Sequence, residues 1–215
     1  CSPALARSKG ASRPVQLIPN AVDVAAYREP HERPDDLPPG RTALYVGTLH
    51  RDRLDVCLCG RVAMELSGVA TVVMLGPVAL PTEDMAWLER QGVHFLGARP
   101  ADDVPAYLQH ADVPLVPHIV NSFTDSLDPI NAYEYRASGR PVVSTPVAGF
   151  RELTGGAWVI AERDRFPHAV LERLRSGPAE DAGVSGVSGV PDWSERVTGF
   201  RRLIAGIAPP HGQDN

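Results

Sequence analysis

Lysine is almost missing from this chain: Lys9 is the only one, and arginine carries the rest of the positive charge. A phosphate site here must therefore rely on arginine, on backbone N–H groups, or on Lys9 itself. Cysteine is scarce too, with three in 215 residues. Cys57 and Cys59 sit two apart in a helix-like stretch, a spacing that suits neither a disulfide framework nor a paired zinc site. They are expected as buried or half-buried helix residues of a reducing compartment. No apolar run approaches the roughly 20 residues that cross a bilayer, and the first residues lack the pattern of a secretory signal. The expectation is a cytoplasmic domain. A net charge of −5 and an isoelectric point near 5.8 leave no broad basic face. Nucleic acid is thereby excluded as a general partner, and any anionic ligand must be held locally.

What is present is an ordinary soluble core, with 43% hydrophobic residues, long enough for one large α/β domain and extra segments. The opening has no strand or long helix of its own and reads as the interior of a longer protein. Residues 15–23 read as a short strand ending in an Asn turn, followed by a proline- and charge-rich linker over about 28–40. A domain boundary is expected there, so that 1–40 is the end of a preceding domain plus linker. From Arg41 the pattern alternates: strand 42–47, helix 52–67, strand 70–75, a helix capped by Thr82 and running through 91, strand 93–96, helix 101–111, strand 113–116. A polar loop over 118–127 leads to helix 129–137, and then follow strand 141–144, a short turn with Glu152, strand 158–161 and a helix from 164 to about 175. Short apolar strands separated by helices predict a Rossmann-like parallel sheet covered on both faces, over 41–178. The Gly/Ser/Val stretch within 179–190 reads as a flexible connector. A last amphipathic helix is expected over 191–207, with Trp193, Val197, Phe200 and Ile204 on one stripe that needs a partner surface, and 208–215 as a disordered tail.

Ligands of open parallel sheets bind beyond the carboxyl ends of the strands, so the candidate residues are those that follow each strand. Glycines recur there, at Gly47, Gly76 and Gly97, although turns need glycine in any case. The segment Asp128-Pro-Ile-Asn-Ala-Tyr-Glu-Tyr-Arg-Ala-Ser-Gly-Arg-Pro-Val-Val-Ser144 is more specific. Asp128 reads as an N-cap, Pro129 as the first helical residue and Gly139 as the stop, which predicts a helix start aimed out of the sheet's ligand edge, where phosphate binds well. Glu134, five residues past Pro129, lies about 7 to 8 Å along that helix. That is the reach from a pyrophosphate to a ribose, and an acceptor-only carboxylate suits two adjacent sugar hydroxyls. The alternative is a solvated helix residue, and position alone leaves both open. His118 and His50, each just after a strand, are further candidates for the cleft. Asp52, Asp55, Asp102, Asp103 and Asp112 read as caps, first-turn helix charges and strand-edge residues, so no metal constellation is expected.

The ordered landmarks Ile18-Pro-Asn-Ala-Val-Asp23, Tyr45-Val-Gly-Thr48, Leu54-Asp55, Val93-His-Phe-Leu-Gly97, Tyr107-Leu-x-x-Ala-Asp-Val113 and Pro129-x-x-Ala-Tyr-Glu-Tyr-x-Ala-Ser-Gly-Arg-Pro-Val-Val-Ser144 resemble the C-terminal half of bacterial GT-B-fold glycosyltransferases of the cell-surface polysaccharide and teichuronic-acid type. The resemblance covers essentially the whole chain. It implies a donor domain for a UDP- or GDP-linked sugar, which is a substrate and not a cofactor. It further implies a retaining, metal-independent enzyme and a preceding acceptor-binding domain onto which the last helix crosses back; peripheral attachment of the full enzyme to the inner face of the plasma membrane stays open beside the cytoplasmic expectation. By position, Glu134 would bind the ribose, and Asp128, Pro129, Ile130 and Asn131 would face the phosphates. Gly47 and Thr48 would lie against the diphosphate or sugar, and Gly97 and Arg99 would line the base pocket. Two departures stand out. The family often has an acid where this chain has Ser126, with Asp125 and Asp128 out of register, and commonly a lysine where Asn131 stands. Arg51 or Arg53 would have to supply the missing cation, since arginine suits bidentate phosphate binding, unless both are solvated charges. The catalytic groups are left unassigned. The alternatives are a non-catalytic nucleotide-sugar-binding or partner-packing module and, with no dedicated acid/base pair in view, a nucleotide-sugar epimerase of the same fold. A receiver-type signalling domain would need an acidic pocket and a late lysine, which the chain lacks.

Overall fold

Thr42–Val46 (β1) is buried at every position, which an apolar strand tolerates only at the centre of a sheet covered on both faces. Its side chains divide accordingly: Ala43 and Tyr45 enter one core, Leu44 and Val46 the other. The computed structural model describes residues 2–153, 155, 157–177 and 189–207. Around β1 it places Thr71–Leu75 (β2), Val93–Gly97 (β3), Val113–Val116 (β4), Val142–Ser144 (β5) and Trp158–Ile160 (β6) in one parallel sheet of order β3-β2-β1-β4-β5-β6. The α/β expectation holds: the sheet is Rossmann-like, with its topological switch between β1 and β4.

The helices are Pro3–Gly10 (α1), Val24–Arg28 (α2), Val56–Glu65 (α3), Thr82–Arg90 (α4), Val104–His110 (α5), Ile130–Ser138 (α6), Phe166–Ser176 (α7) and Trp193–Ile207 (α8). Leu58, Val62, Leu88, Phe166 and Val170 carry α3, α4 and α7 onto one face. Tyr27, Tyr107, Leu108, Ala132 and Tyr135 carry α2, α5 and α6 onto the other. At Gly60 of α3 a Cβ would come within 2.2 Å of the Trp87 ring, so the α3–α4 contact requires the missing side chain.

Several expected boundaries change, each for a local reason. Residues 15–23 form no strand: Pro19 lacks a donor, the segment makes a single bridge, Val22 with Asp192, and Asn20 and Asp23 bond to Asp128 and to the start of α2. The opening does hold a helix, a short one, with Ser2 accepting from the Leu5 N–H and Pro3 in the first turn. Asp55, not Asp52, caps α3 by accepting from the Leu58 N–H at 2.9 Å. Thr82 is the first residue of α4 and caps nothing; Pro81 precedes it, and Glu83 and Asp84 supply the favourable first-turn charge. The stretch 101–111 splits into a 3-10 turn, Ala101–Asp103, and α5. The expected connector lies outside the described residues apart from Gly189 and Val190, and the expected tail lies outside them entirely. The α8 stripe is present, with Trp193, Val197, Phe200 and Ile204 each at least 41% exposed.

Asp55 ties α3 to the start of α7, because Arg163 donates to both of its oxygens. Burial by itself would raise the Asp55 carboxyl; Arg163, the Leu58 N–H and Arg61 outweigh it and hold it below the ordinary value. Its stabilisation is therefore present above about pH 4 and lost as pH falls through the lower folded value. Asp55→Ala is expected to cost about 1–3 kcal/mol at pH 7 by urea denaturation, with the deficit shrinking below pH of about 4. A deficit that stays constant with pH would contradict this account.

Candidate functional site

The start of α6 is clamped to the carboxyl end of β1. Asn131 and Tyr135, one turn apart on one helix face, both reach Val46: the Tyr135 hydroxyl accepts from its N–H at 2.9 Å, and Asn131 Nδ2 donates to its carbonyl at 3.4 Å. The Tyr135 hydroxyl also donates to the Leu115 carbonyl at 3.3 Å. It thereby spans the point where β1 and β4 part, their paired register ending at Leu44 and Pro114. With α6 held this way, its first turn and Glu134 face a cavity of about 530 Å³ that opens beyond β1, β2 and β4.

The floor of that cavity depends on two glycines with positive φ, Gly47 (φ 150) and Gly76 (φ 144). A Cβ on Gly76 would lie 2.2 Å from the Gly47 carbonyl oxygen, and one on Gly47 would press on the Tyr45 hydroxyl at 3.0 Å. Here glycine is required by space as well as by conformation. Gly76→Ala is expected to destabilise by about 1–3 kcal/mol and to narrow the cavity, checked by thermal denaturation together with ligand titration.

Of the residues singled out from the sequence, Gly47, Thr48, Arg53, Arg99, His118, Asp128, Pro129, Ile130, Asn131 and Glu134 line this cavity; Gly97 and Arg51 do not. Arg51 is turned outward onto α4, where Asp84 receives both its Nε and Nη2. Arg99 forms wall without offering a free fork: Tyr107, Asp36 and the carbonyls of Leu96 and Ala98 take its donors. Arg53 stays in the lining, paired with Asp52 at 3.2 Å and stacked over Phe123 at 5.8 Å. His50 contacts Asp52 and lies outside the lining.

Two expectations about side-chain placement are corrected. His118 belongs to the cavity wall but is buried in it, with Nε2 3.1 Å from the Tyr45 hydroxyl and the rings in an edge contact. Burial first, and then the nearby Arg53, push its pKa down to about 4, so at neutral pH it adds no positive charge. Asp128 is not the N-cap of α6. Pro129 holds that position with ψ 126, no side chain caps the helix, and Ile130 is the first helical residue. The Asp128 carboxylate is drawn elsewhere, to the Asn20 N–H and the Tyr133 hydroxyl, each at 2.7 Å.

Glu134 is largely withdrawn from solvent. Burial raises its carboxyl pKa, and the Tyr27 hydroxyl beside it works in the opposite direction. Asn20 and Tyr45 line the cavity and Tyr27 stands beside Glu134, yet none of the three was singled out from the sequence as a site residue. Tyr27 sits at the end of α2, in a linker-like stretch whose path across α6 has no local signal; Asn20 was visible only as a turn residue. Ser126 bonds the Phe123 carbonyl and Asp125 pairs with Arg151, so neither supplies an acid to the cavity. Among the described residues no three His, Cys, Asp or Glu side chains gather as metal ligands, and no helix is long and apolar enough to cross a membrane.

A doubly wound sheet with a glycine-floored cavity and an uncapped helix start at its switch point defines an α/β domain whose cavity lies where folds of this kind place a ligand. The family model described as "Glycosyl transferases group 1" matches residues 40–176, and the chain belongs to that family. Among solved structures it is similar to AviGT4, a glycosyltransferase involved in avilamycin A biosynthesis, at 20% identity and TM-score 0.66, with 95% of this chain and 63% of that one covered. It is similar to sucrose-phosphate synthase from Thermosynechococcus elongatus at 17% identity and TM-score 0.71, covering 95% and 55%. It is similar as well to Alr3699/HepE from Anabaena, in complex with UDP, at 15% identity and TM-score 0.64, covering 89% and 57%. The chain thus spans less than two thirds of the length of these structures. No curated protein matches it.

The depressed His118 value sets a pH window. The folded state refuses a proton that the unfolded chain accepts near its ordinary 6.5, so the stability from neutral His118 is full above about pH 6.5 and falls as pH drops toward 4. In denaturant titrations between pH 7 and 4.5, the native chain is expected to lose on the order of 1–3 kcal/mol more than His118→Gln. Parallel pH profiles for the two proteins would rule this out.

Proposed function

We propose that this chain is the donor-binding part of a glycosyltransferase that moves a sugar from a nucleoside diphosphate, UDP- or GDP-linked, to a saccharide or lipid-linked acceptor. The observation that carries this reading is the geometry of α6: an uncapped start and, one turn on, Glu134, both facing one cavity at the switch point. Free N–H groups at a helix start suit a diphosphate. An acceptor carboxylate one turn further suits the two hydroxyls of a ribose. Arg53 is the remaining cation of that wall, and it would take the place of the lysine the family commonly has where Asn131 stands. The UDP bound to Alr3699/HepE, a protein of similar fold, supports a nucleotide in this kind of site.

On this reading, charge that builds on the departing diphosphate is met by the α6 dipole and Arg53, an electrostatic contribution that needs no protein nucleophile. Metal-independence and retention of configuration are proposed on the family resemblance. So are a preceding acceptor-binding part that supplies any catalytic base and receives α8, and a seat for the whole enzyme at the inner face of the plasma membrane.

One observation favours a second reading, a module that holds the nucleotide without chemistry. Asn131 Oδ1 is buried and has no hydrogen-bond partner, so an acceptor sits where a phosphate-binding cation would be expected. Calorimetry of the chain against UDP, GDP, ADP and their sugars separates the possibilities. Binding of one nucleotide series, weakened roughly 10- to 100-fold by Glu134→Ala, is the expected result. No binding to any of them would sink the donor site. The chain alone is expected to show no transfer, and detectable turnover would contradict its reading as part of a larger enzyme.

A further inference from the structure

The sequence Asp128-Pro129 at a helix start is the favoured pairing of N-cap and first-turn proline. Yet the structure keeps Asp128 off its own helix. One oxygen of its carboxylate accepts the Asn20 N–H and the other the Tyr133 hydroxyl, both at 2.7 Å, while Asn20 Nδ2 donates to the Asp128 carbonyl at 2.6 Å. Pro129 is held outside the helix from its other side. Its ring lies where a Cβ on Gly149 would be, at 2.8 and 3.0 Å, so Gly149 provides the room. The result is a helix whose first N–H groups carry no side-chain cap, beside a carboxylate that has the chemistry to occupy them.

We propose that Asn20 and Tyr133 are positioning residues that restrain Asp128 from capping α6, and so keep the helix start open for the anionic part of the ligand. Released, Asp128 would become the N-cap and Pro129 the first helical residue. The carboxylate would then compete with the ligand's phosphates for the Ile130 and Asn131 N–H groups. The strut also joins the segment before α2 to the site, since Asn20 lies 108 residues from Asp128. The position of that segment therefore bears directly on whether the anion site is open. The role of the strut in binding rests on the donor-site reading above, whereas the restraint on Asp128 can be measured without any ligand.

Two measurements test it. In the ligand-free chain, amide hydrogen exchange at Ile130 and Asn131 is expected to slow in Tyr133→Phe and further in Asn20→Ala/Tyr133→Phe, which keeps the Asn20 N–H but removes the Nδ2 bond that holds the Asp128 carbonyl. Adding Asp128→Ala should abolish the slowing. Unchanged or faster exchange in the first two variants would overturn the strut. In calorimetry with inorganic pyrophosphate, UDP and GDP, Tyr133→Phe is expected to bind roughly 3- to 10-fold more weakly, and Tyr133→Phe/Asp128→Ala to recover most of that loss. A merely structural role for Tyr133 would weaken the single and double variants alike, and that outcome also counts against the proposal. If the native chain binds none of these probes, the donor reading falls, and the exchange data still decide whether Asp128 is restrained.

Discussion

Val46 is where sheet and site become one structure. At the end of β1 it has lost its strand partner on the β4 side, and a buried N–H without a partner would cost about 1–3 kcal/mol. Tyr135 fills the gap from α6, with Asn131 taking the carbonyl of the same residue. Because the Tyr135 hydroxyl also meets the Leu115 carbonyl, one side chain closes the breach between β1 and β4 and fixes the rotation of the helix. Everything useful at the site follows from that rotation: the direction of the first N–H groups, the burial of Asn131, and the turn of Glu134 toward the cavity and Tyr27. The glycine floor at Gly47 and Gly76 lets the adjacent strand ends approach closely enough to complete the pocket.

The electrostatics of the cavity are sparser than its residue types suggest. Five basic side chains came out of the sequence as candidates, and the fold withdraws four. Arg51 is turned outward onto Asp84, His50 lies beside Asp52 outside the cavity, Arg99 has most of its donors taken by Asp36, Tyr107 and two carbonyls, and His118 is buried and neutral. Arg53 and the backbone of α6 are left to meet negative charge. The Glu134 carboxyl is raised by burial, and Asp128, in the same cavity wall, has both carboxylate oxygens engaged by Asn20 and Tyr133. A site of this kind binds anions through geometry more than through net charge, in keeping with a chain whose overall charge is −5.

The sheet was legible because its signals are local. Runs such as Thr42–Val46 and Thr71–Leu75, separated by amphipathic stretches, admit little besides a covered parallel sheet, and Gly139 stops α6 in the left-handed conformation expected of it. Asp52, Thr82 and Asp128 are each good caps by type, yet none caps its helix: Asp52 lies ahead of the cap position, which Asp55 takes, Thr82 is already helical, and Asp128 is engaged by Asn20 and Tyr133. Residues 15–23 looked like a strand because an apolar run was in view while the absence of a neighbouring edge was not.

The sequence by itself determined the alternation of strands and helices, the glycines at the strand ends, the place of α6 in the chain, and the family to which these belong. Such features depend on periodicity and on conformational preference over a few residues. Only the tertiary structure decided which of the polar side chains remain available to a ligand. Asp128 is claimed by Asn20, Glu134 is shielded beside Tyr27, and Arg99 is claimed by Asp36, in each case by a segment distant in the chain. A hydrogen-bond donor or acceptor has no sequence signature for the partner it will meet, so its availability is a property of the packed fold.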